Sequence, residues 1–254
     1  MLRMANPMGG SEEGVLGVLK TADLLASPVP DNVLRLSESV QLSQQRIEVD
    51  SWDVFYRQAL PPAGHRAKGD VLLLHGQAFS SADWLTHSTL SVLAAAGYRV
   101  FAVDLPGYGE TLGKTIPPAN EKADFLKHLI EGLKLDRPVL VSPSMSGTYS
   151  LPFLVQYSHM LGAYVPVAPV GTNEYSPSKL ASIKTPTLIT YGDRDTSLGI
   201  SSKTNLSPLP NGRVLKIEKA GHPAYLHQPD TFHTALLNFM DLIRTHPLKS
   251  AGQT

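Results

Sequence analysis

Six short apolar runs between residues 71 and 217 dominate the hydrophobic pattern of this chain. They are continuous rather than alternating, which is typical of strands buried on both faces of a parallel sheet. The runs cover residues 71–74, 100–103, 139–141, 164–167, 187–190 and 214–217. Most are separated by segments with helical spacing, of which 84–96 and 123–133 are the clearest. This succession of strands and helices predicts a doubly wound, mostly parallel α/β sheet.

Further elements are predicted on either side of these runs. Residues 46–49 and 54–56 alternate between apolar and polar side chains, which predicts an antiparallel hairpin that ends at the Pro and Gly residues of 61–64. Residues 230–243 carry apolar side chains at helical spacing after Pro229, which predicts a helix packed on the core. His233, within that helix, is expected to be a hydrogen-bonded or solvated histidine.

The two ends of the chain differ in composition from the part between them. Residues 1–42 are expected to form a flexible or loosely docked extension, because only 15–25 look faintly amphipathic. A single domain is predicted for residues 43–245, followed by a polar tail at 246–254. The extension holds neither a signal-peptide core nor an apolar run long enough to span a bilayer, which favours a soluble protein.

Composition excludes several classes of chemistry. The 254 residues suffice for one large domain, and 22 basic residues balance 22 acidic ones, which argues against a nucleic-acid-binding surface. No cysteine is present, so the chain has no disulfide, no thiolate nucleophile and no Cys-ligated zinc, in keeping with a reducing compartment. The histidines lack metal-ligand spacing, and no metal site is expected.

One apolar run, residues 139–141, ends in small residues and continues into helix-like sequence, with Ser144 at the apex. This plan matches a nucleophile elbow, G-x-S-x-G, in which only small side chains fit two residues on either side of the nucleophile. Ser142 and Ser146 stand in place of the glycines: they meet the size requirement but weaken the motif. Because a serine-rich turn after a buried strand is usually only a turn, other residues must support the assignment.

Acidic and imidazole side chains follow two later strands. Asp193 and Asp195 come after the run at 187–190, and His222 comes after the run at 214–217. A lone loop aspartate is usually a turn former and a lone loop histidine is usually solvated. Together with the serine, however, they occur in the order serine, acid, histidine, each after a parallel strand, which is the triad order of α/β-hydrolases. The residues alone do not decide which of the two aspartates is the acid.

Backbone donors for a reacting carbonyl are predicted at two loops. A triad that attacks an acyl group needs N–H groups aimed at the developing oxyanion. We expect these from Met145, directly after the serine, and from Gln77 or Ala78, in the loop that follows the first buried strand. The alternative for that loop is an ordinary strand-to-helix connection in which Ser81 or Asp83 caps the helix. The loop at 104–109 is expected to shape the rim of the site.

Several of these motifs together resemble the α/β-hydrolase domain-containing 14 proteins. They are H-G at 75–76, D-L-P-G-Y-G at 104–109, S-P-S-M-S-G at 142–147, Y-G-D-R-D at 191–195 and A-G-H-P-A-Y-L at 220–226. The resemblance runs from about residue 49 to about residue 240, and the elbow is its most specific part. The family has an A type with an N-terminal membrane anchor and a soluble B type. Because no anchor is found in this chain, it is closer to the B type in that respect.

The resemblance implies an α/β-hydrolase fold with Ser144 as nucleophile, Asp195 as acid and His222 as base, and it gives Asp193 the task of bracing the turn. It also implies the removal of acetyl groups from protein lysines and their transfer to coenzyme A, with no tightly bound cofactor. The partner it implies is the largest subunit of the transcription factor TFIID, and the locations are cytoplasm and nucleus.

The connection that precedes the acid-bearing strand is short. Only residues 171–186 separate the run at 164–167 and its flanking loop from the acid-bearing strand, which leaves room for one helix, at 176–183, and no lid domain. An open site suits an exposed acyl group on a larger molecule or a small ester.

Two rival functions remain. The first is a general small-ester hydrolase with the same catalytic residues. The second is a protein-binding scaffold on a hydrolase fold, against which the complete triad argues.

Overall fold

An eight-stranded sheet forms the centre of the computed structural model, which describes residues 13–64, 66–117 and 119–246. Its strand order is β1-β2-β4-β3-β5-β6-β7-β8. The strands are β1 Leu42–Val49, β2 Trp52–Ala59, β3 Asp70–Leu73, β4 Arg99–Val103, β5 Val139–Pro143, β6 Ala163–Val167, β7 Thr187–Gly192 and β8 Gly212–Ile217. Strands β3 to β8 run parallel, whereas β1 and β2 form an antiparallel hairpin whose second strand pairs antiparallel with β4. The predicted doubly wound, mostly parallel sheet is confirmed.

Helices cover both faces of this sheet. They are α1 Glu13–Thr21, α2 Asp31–Ser37, α3 Ser81–Thr86, α4 Thr89–Ala95, α5 Ala119–Gly132, α6 Gly147–Tyr157, α7 Pro177–Ala181, α8 Leu198–Asn205, α9 Ala224–His227 and α10 Pro229–Thr245. Helices α1, α3, α4 and α10 pack on one face, and α5, α6 and α7 pack on the other.

The central strands supply both cores at once. Every residue of β3, β5, β6 and β7 is buried. Along β3, Val71 and Leu73 enter one apolar cluster while Leu72 enters the other, because successive side chains of a strand point to opposite faces. This double burial explains why these runs are continuous rather than alternating. The run at 214–217 differs from the prediction: it lies in β8, at the edge of the sheet, where Val214 and Lys216 are exposed.

The segment with helical spacing at residues 84–96 is divided between two helices, α3 and α4. Helix α3 begins three residues earlier because Ser80 and Asp83 form a reciprocal capping box, so Asp83 takes part in the cap as expected, with Ser80 and not Ser81 as its partner. The chain then breaks at Ser88, whose φ of 59° lies in the left-handed region, before α4 begins. Hydrophobic spacing continues across the break and hides it in the sequence.

Part of the predicted N-terminal extension lies against the domain. Leu19 and Leu24 are buried in the core that contains α10. The side-chain amide of Asn238 on α10 donates to the carbonyls of Leu24 and Ser27, at 2.8 Å each. The faintly amphipathic stretch at 15–25 thus carries two leucines into the core. The first twelve residues and the tail beyond residue 246 lie outside the described residues, and the division of the chain at residue 42 stays a prediction.

Helix α10 carries a buried histidine that predicts an acid-sensitive stability. His233 is hydrogen-bonded to the Thr89 hydroxyl at 2.9 Å through Nε2. Burial lowers the pKa of His233 to about 4, while the charge of Asp230 acts in the opposite direction and His87 acts in the same direction as burial. In the unfolded chain a histidine titrates near pH ~6.5, so between these values the unfolded state binds more protons. Stability is therefore expected to fall as the pH is lowered through this window.

Chemical denaturation of wild type and His233→Gln at several pH values tests this expectation. Glutamine keeps a hydrogen-bonding amide but does not titrate, so the variant should lose up to about 3 kcal/mol of the pH dependence between pH ~6.5 and ~4. Replacement of the exposed His159 by Gln is the control and should leave the dependence unchanged. If the free energy of unfolding changes equally with pH in wild type and His233→Gln, His233 does not titrate as its burial predicts.

No helix in the described ranges combines the length and the apolar character needed to cross a membrane.

Candidate active site

Ser144 lies at the sharp turn between β5 and α6. Its φ of 50° places a non-glycine residue in the left-handed region, a strained conformation that the surrounding structure must hold in place. Gly147, three residues on, permits this turn, because a Cβ there would clash with Pro169 and the Val170 backbone on the neighbouring loop. The strand, the turn and the helix form the elbow that the sequence predicts.

The serines that replace the motif's glycines are buried and fully hydrogen-bonded. Ser142 donates to Ser150 at 2.6 Å and lies 3.0 Å from the Ser146 hydroxyl. Ser146 donates to the Pro143 carbonyl at 2.7 Å, and Ser150 bonds the Tyr164 hydroxyl at 2.8 Å. A buried hydroxyl is tolerated when it is paired in this way. The elbow therefore accommodates serine at both positions without an unpaired polar group.

Three side chains predicted for the site meet at the carboxyl ends of the strands. The Ser144 Oγ lies 2.8 Å from His222 Nε2, and His222 Nδ1 lies 2.6 Å from Asp195 Oδ2. A carboxylate only accepts, so Nδ1 carries the proton and Nε2 is left to accept from the serine hydroxyl. The Asp195 side chain is 6% exposed, whereas that of His222 is 36% exposed. This geometry can draw the proton from a hydroxyl as it attacks a carbonyl.

The competing acid, Asp193, bonds backbone N–H groups and not the imidazole. Its Oδ1 accepts the N–H of Ala220 at 3.0 Å. Hydrogen bonds from the backbone N–H groups of Lys219 and Ala220 hold the pKa of the Asp193 carboxyl below its usual range. Asp193 thus ties the end of β7 to the loop that follows β8, and Asp195 alone of the two bonds the imidazole.

Glycines allow the acid loop and the histidine loop to touch. A Cβ on Gly192 would overlap the carbonyl oxygens of Ala220 and Gly221, so no larger residue fits at the end of β7. On the other side, the Gly221 N–H donates to His227 Nδ1 at 2.9 Å. This close packing brings His222 within reach of Asp195.

The first predicted oxyanion donor, the Met145 N–H, is held in direction by a hydrogen bond to the carbonyl of the same peptide group. The Ser144 carbonyl accepts the N–H of Val170 at 3.0 Å. In a trans peptide the C=O and the following N–H point in opposite directions. The bond from Val170 therefore fixes the direction of the Met145 N–H, which belongs to the same peptide plane.

The second predicted donor is held in the same manner. The Gly76 carbonyl accepts His75 Nδ1–H at 2.8 Å and the Phe79 N–H at 3.1 Å, which fixes the orientation of the Gln77 N–H. A Cβ on Gly76 would lie 3.5 Å from the Cβ of Ser144, so this loop adjoins the elbow. Ala78 lies one peptide further along the same turn, and the choice between Gln77 and Ala78 stays a prediction.

His75 supports this loop as a neutral ring. The Leu105 N–H donates to His75 Nε2 at 3.0 Å, so Nε2 must be the unprotonated nitrogen and Nδ1 carries the hydrogen. Burial lowers the pKa of His75, which favours the same neutral form. The loop at 104–109 is in turn anchored by the buried Asp104, whose carboxylate accepts the N–H groups of Ser81 at 2.6 Å and Glu110 at 2.8 Å.

The sequence does not single out all the residues that support this site. Val170 contributes only a backbone N–H, and Thr148 holds the elbow by donating to the Met145 carbonyl at 3.0 Å. Neither role leaves a signal in the pattern of residue types.

Between β6 and β7, the chain forms a 3₁₀ turn and the five-residue helix α7. Within the described ranges, no cluster of three or more His, Asp or Glu side chains is arranged to hold a metal ion.

Comparison with known proteins gives close relatives. The sequence profile of the alpha/beta hydrolase family matches residues 71–174. A rat protein, ABHD14B, provisionally named a protein-lysine deacylase, is 47% identical over 205 residues, which are 80% of this chain and 97% of the relative. The zebrafish protein ABHD14A is 42% identical over 236 residues, covering 91% of this chain and 87% of the relative.

Solved structures share the same fold. A CIB-like hydrolase from Thermoplasma acidophilum superposes with a TM-score of 0.72 at 25% identity, covering 82% of this chain and all of that chain (100%). The carboxylesterase CesB from Bacillus subtilis gives a TM-score of 0.68 at 17% identity over 83% of this chain and 95% of its own, a likeness of fold alone. By its relatives and its sheet, this chain belongs to the alpha/beta hydrolase family, within the ABHD14 group.

Proposed function

We propose that the protein is a serine acyl hydrolase in which Ser144 is the nucleophile, His222 the base and Asp195 the acid. The observation that carries this proposal is the continuous line of hydrogen bonds from the Ser144 hydroxyl through the imidazole to the buried carboxylate, at 2.8 and 2.6 Å. A strained elbow and two fixed backbone peptides accompany it. Each component has a defined task in acyl transfer.

The reaction follows from the positions of these groups. Ser144 Oγ attacks the acyl carbonyl while His222 Nε2 takes its proton, and Asp195 stabilises the imidazolium that forms. The N–H groups of Met145 and of Gln77 or Ala78 bind the oxyanion, and the loss of one such donor typically costs about 3 kcal/mol. His222 then protonates the leaving group, and an acyl-Ser144 ester remains. Water, activated by the same imidazole, releases the acid.

The substrate we propose is an acylated lysine on a protein. The name given to ABHD14B supports this class, and so does the accessibility of the site. Ser144 is half-buried rather than enclosed, and the His222 side chain is 36% exposed. The short connection that holds α7 supports the prediction of an open site without a lid domain. An acyl group on a lysine side chain can therefore reach the nucleophile from a larger molecule.

The finer assignments rest on the resemblance to the ABHD14 proteins. They are the transfer of the acetyl group to coenzyme A, binding of the largest TFIID subunit, and a place in cytoplasm and nucleus. The rival function, a general small-ester hydrolase, uses the same three side chains and differs only in what enters the site.

Turnover of an acetyl-lysine peptide and of p-nitrophenyl acetate, each with and without coenzyme A, tests the proposal. We expect acetate release from both substrates, and acetyl-coenzyme A as an additional product where the thiol competes with water. Ester hydrolysis with an untouched peptide would establish the small-ester hydrolase instead. Absence of acetyl-coenzyme A would remove the transfer step and leave plain hydrolysis.

A further inference from the structure

Lys122, in the first turn of α5, lies beside the elbow that carries the nucleophile. Its Nζ donates to the Thr148 hydroxyl at 3.1 Å, and Thr148 donates to the Met145 carbonyl at 3.0 Å. Two hydrogen bonds therefore separate this ammonium from the residue directly after Ser144. These two bonds link the ammonium to the turn that carries Ser144.

No direct ion pair holds the charge of Lys122 among the described residues. The side chain is half-buried, and none of the ion pairs among the described residues includes it. Its other neighbour is the ring of Tyr149, with Nζ 5.1 Å from the centroid. Burial lowers the pKa of Lys122, while the charge of Glu174, an exposed residue after β6, acts in the opposite direction.

This environment is costly for a cation unless something offsets it. A partly desolvated ammonium gains most from an ionised oxygen partner, because charge-assisted hydrogen bonds are about twice as strong as neutral ones. The hydroxyl of Thr148 and the face of Tyr149 are weaker partners. A negatively charged group on a bound molecule would supply the missing partner.

We propose that Lys122 recognises an anionic oxygen group, such as a carboxylate, carried by the substrate a short distance from the carbonyl that Ser144 attacks. This inference deepens the proposed acyl hydrolase and rests on it. The anionic group has two sources: the far end of a dicarboxylic acyl chain, or the group that leaves when the acyl-enzyme forms. In either case the enzyme prefers a charged substrate over its neutral isostere.

Two pairs of esters distinguish the sources. In the first pair the acyl group is charged or neutral: the p-nitrophenyl half-ester of glutarate and its methyl-capped form. In the second pair the leaving group is charged or neutral: 4-acetoxybenzoate and its methyl ester. For each pair the readout is the ratio of kcat/KM for the anionic substrate to that for the neutral one, in which any general loss of activity cancels.

Lys122→Met should lower this ratio about 10- to 100-fold for one of the two pairs, since that is the usual effect of one hydrogen bond to a charged group. Lys122→Arg keeps the charge and should keep most of the preference. Lys127→Met is the matched control, because Lys127 lies on the same helix, is also half-buried and faces the ring of Tyr157 rather than the elbow. Equal ratios in wild type, Lys122→Met and Lys127→Met for both pairs would overturn the proposal.

A binding measurement separates this inference from the proposed chemistry. If none of the esters is turned over, the acyl hydrolase assignment fails, and calorimetric titration with glutarate and with 4-hydroxybenzoate then decides the role of Lys122 without any catalysis. Weaker binding of one of them to Lys122→Met than to Lys127→Met supports the anion site. Equal or absent binding in both variants overturns it.

Discussion

Ser144→Ala is expected to lower kcat for both p-nitrophenyl acetate and an acetyl-lysine peptide by about 10⁵- to 10⁶-fold. Without the hydroxyl no acyl-enzyme can form, and the oxyanion donors and His222 are left with only direct attack by water. Initial rates measure the loss. Reaction with a serine-directed fluorophosphonate probe should disappear in parallel, because the probe modifies the same activated oxygen.

The fold should survive this substitution. Removing one half-buried oxygen whose partner is His222 Nε2 leaves the buried serine network beneath the elbow untouched. The melting temperature of Ser144→Ala should therefore stay close to that of wild type. Ser178→Ala, at an exposed position of α7, is the labelling control and should react as wild type does. Undiminished labelling of Ser144→Ala would show that another side chain is the nucleophile and would leave a hydrolase fold without the proposed chemistry.

Asp195→Asn is expected to lower kcat by about 10⁴-fold at neutral pH, the usual loss when the acid of such a triad becomes an amide. The carboxylate accepts the His222 Nδ1–H at 2.6 Å and so leaves Nε2 free to take the serine proton. An amide can donate to Nδ1 and favour the opposite tautomer, and it carries no charge to stabilise the imidazolium. Steady-state kinetics at several pH values measure the loss.

Asp193→Asn is the matched control for this experiment. The two aspartates follow the same strand two residues apart, but Asp193 accepts backbone N–H groups, whereas the hydrogen bond from the imidazole goes to Asp195. Its replacement should slightly destabilise the loop that carries His222 while kcat stays nearly unchanged. A large loss of kcat in Asp193→Asn with an active Asp195→Asn would reverse the assignment of the acid.

The parts of the fold that sequence predicts well are those determined by burial. The strands β3 to β7 lie between two layers of helices, so they read as continuous apolar runs. The break at Ser88 is different: the helical spacing persists across it, and only the backbone conformation of one residue marks it. The docking of the segment at 24–27 likewise involves Asn238, which is more than two hundred positions away in the chain.

The same contrast holds for the site. Ser144, Asp195 and His222 could be singled out because each follows a strand whose end must lie at one edge of the sheet. The sequence alone could not decide between Asp193 and Asp195 as the acid, because the two lie two residues apart after the same strand. Lys122 gave no signal at all, because a lysine on a helix is usually solvated, and its contact with Thr148 depends on how α5 packs beside α6.

Ser144 can be identified as the nucleophile most directly by the mass of the covalent intermediate. The protein is mixed with p-nitrophenyl acetate, quenched with acid during turnover, digested and examined by mass spectrometry. We expect one acetyl group on the peptide that contains Ser144, and none on that peptide from Ser144→Ala. An acetyl group on a different side chain, or steady turnover with no acetylated enzyme at any time, would refute Ser144 as the nucleophile.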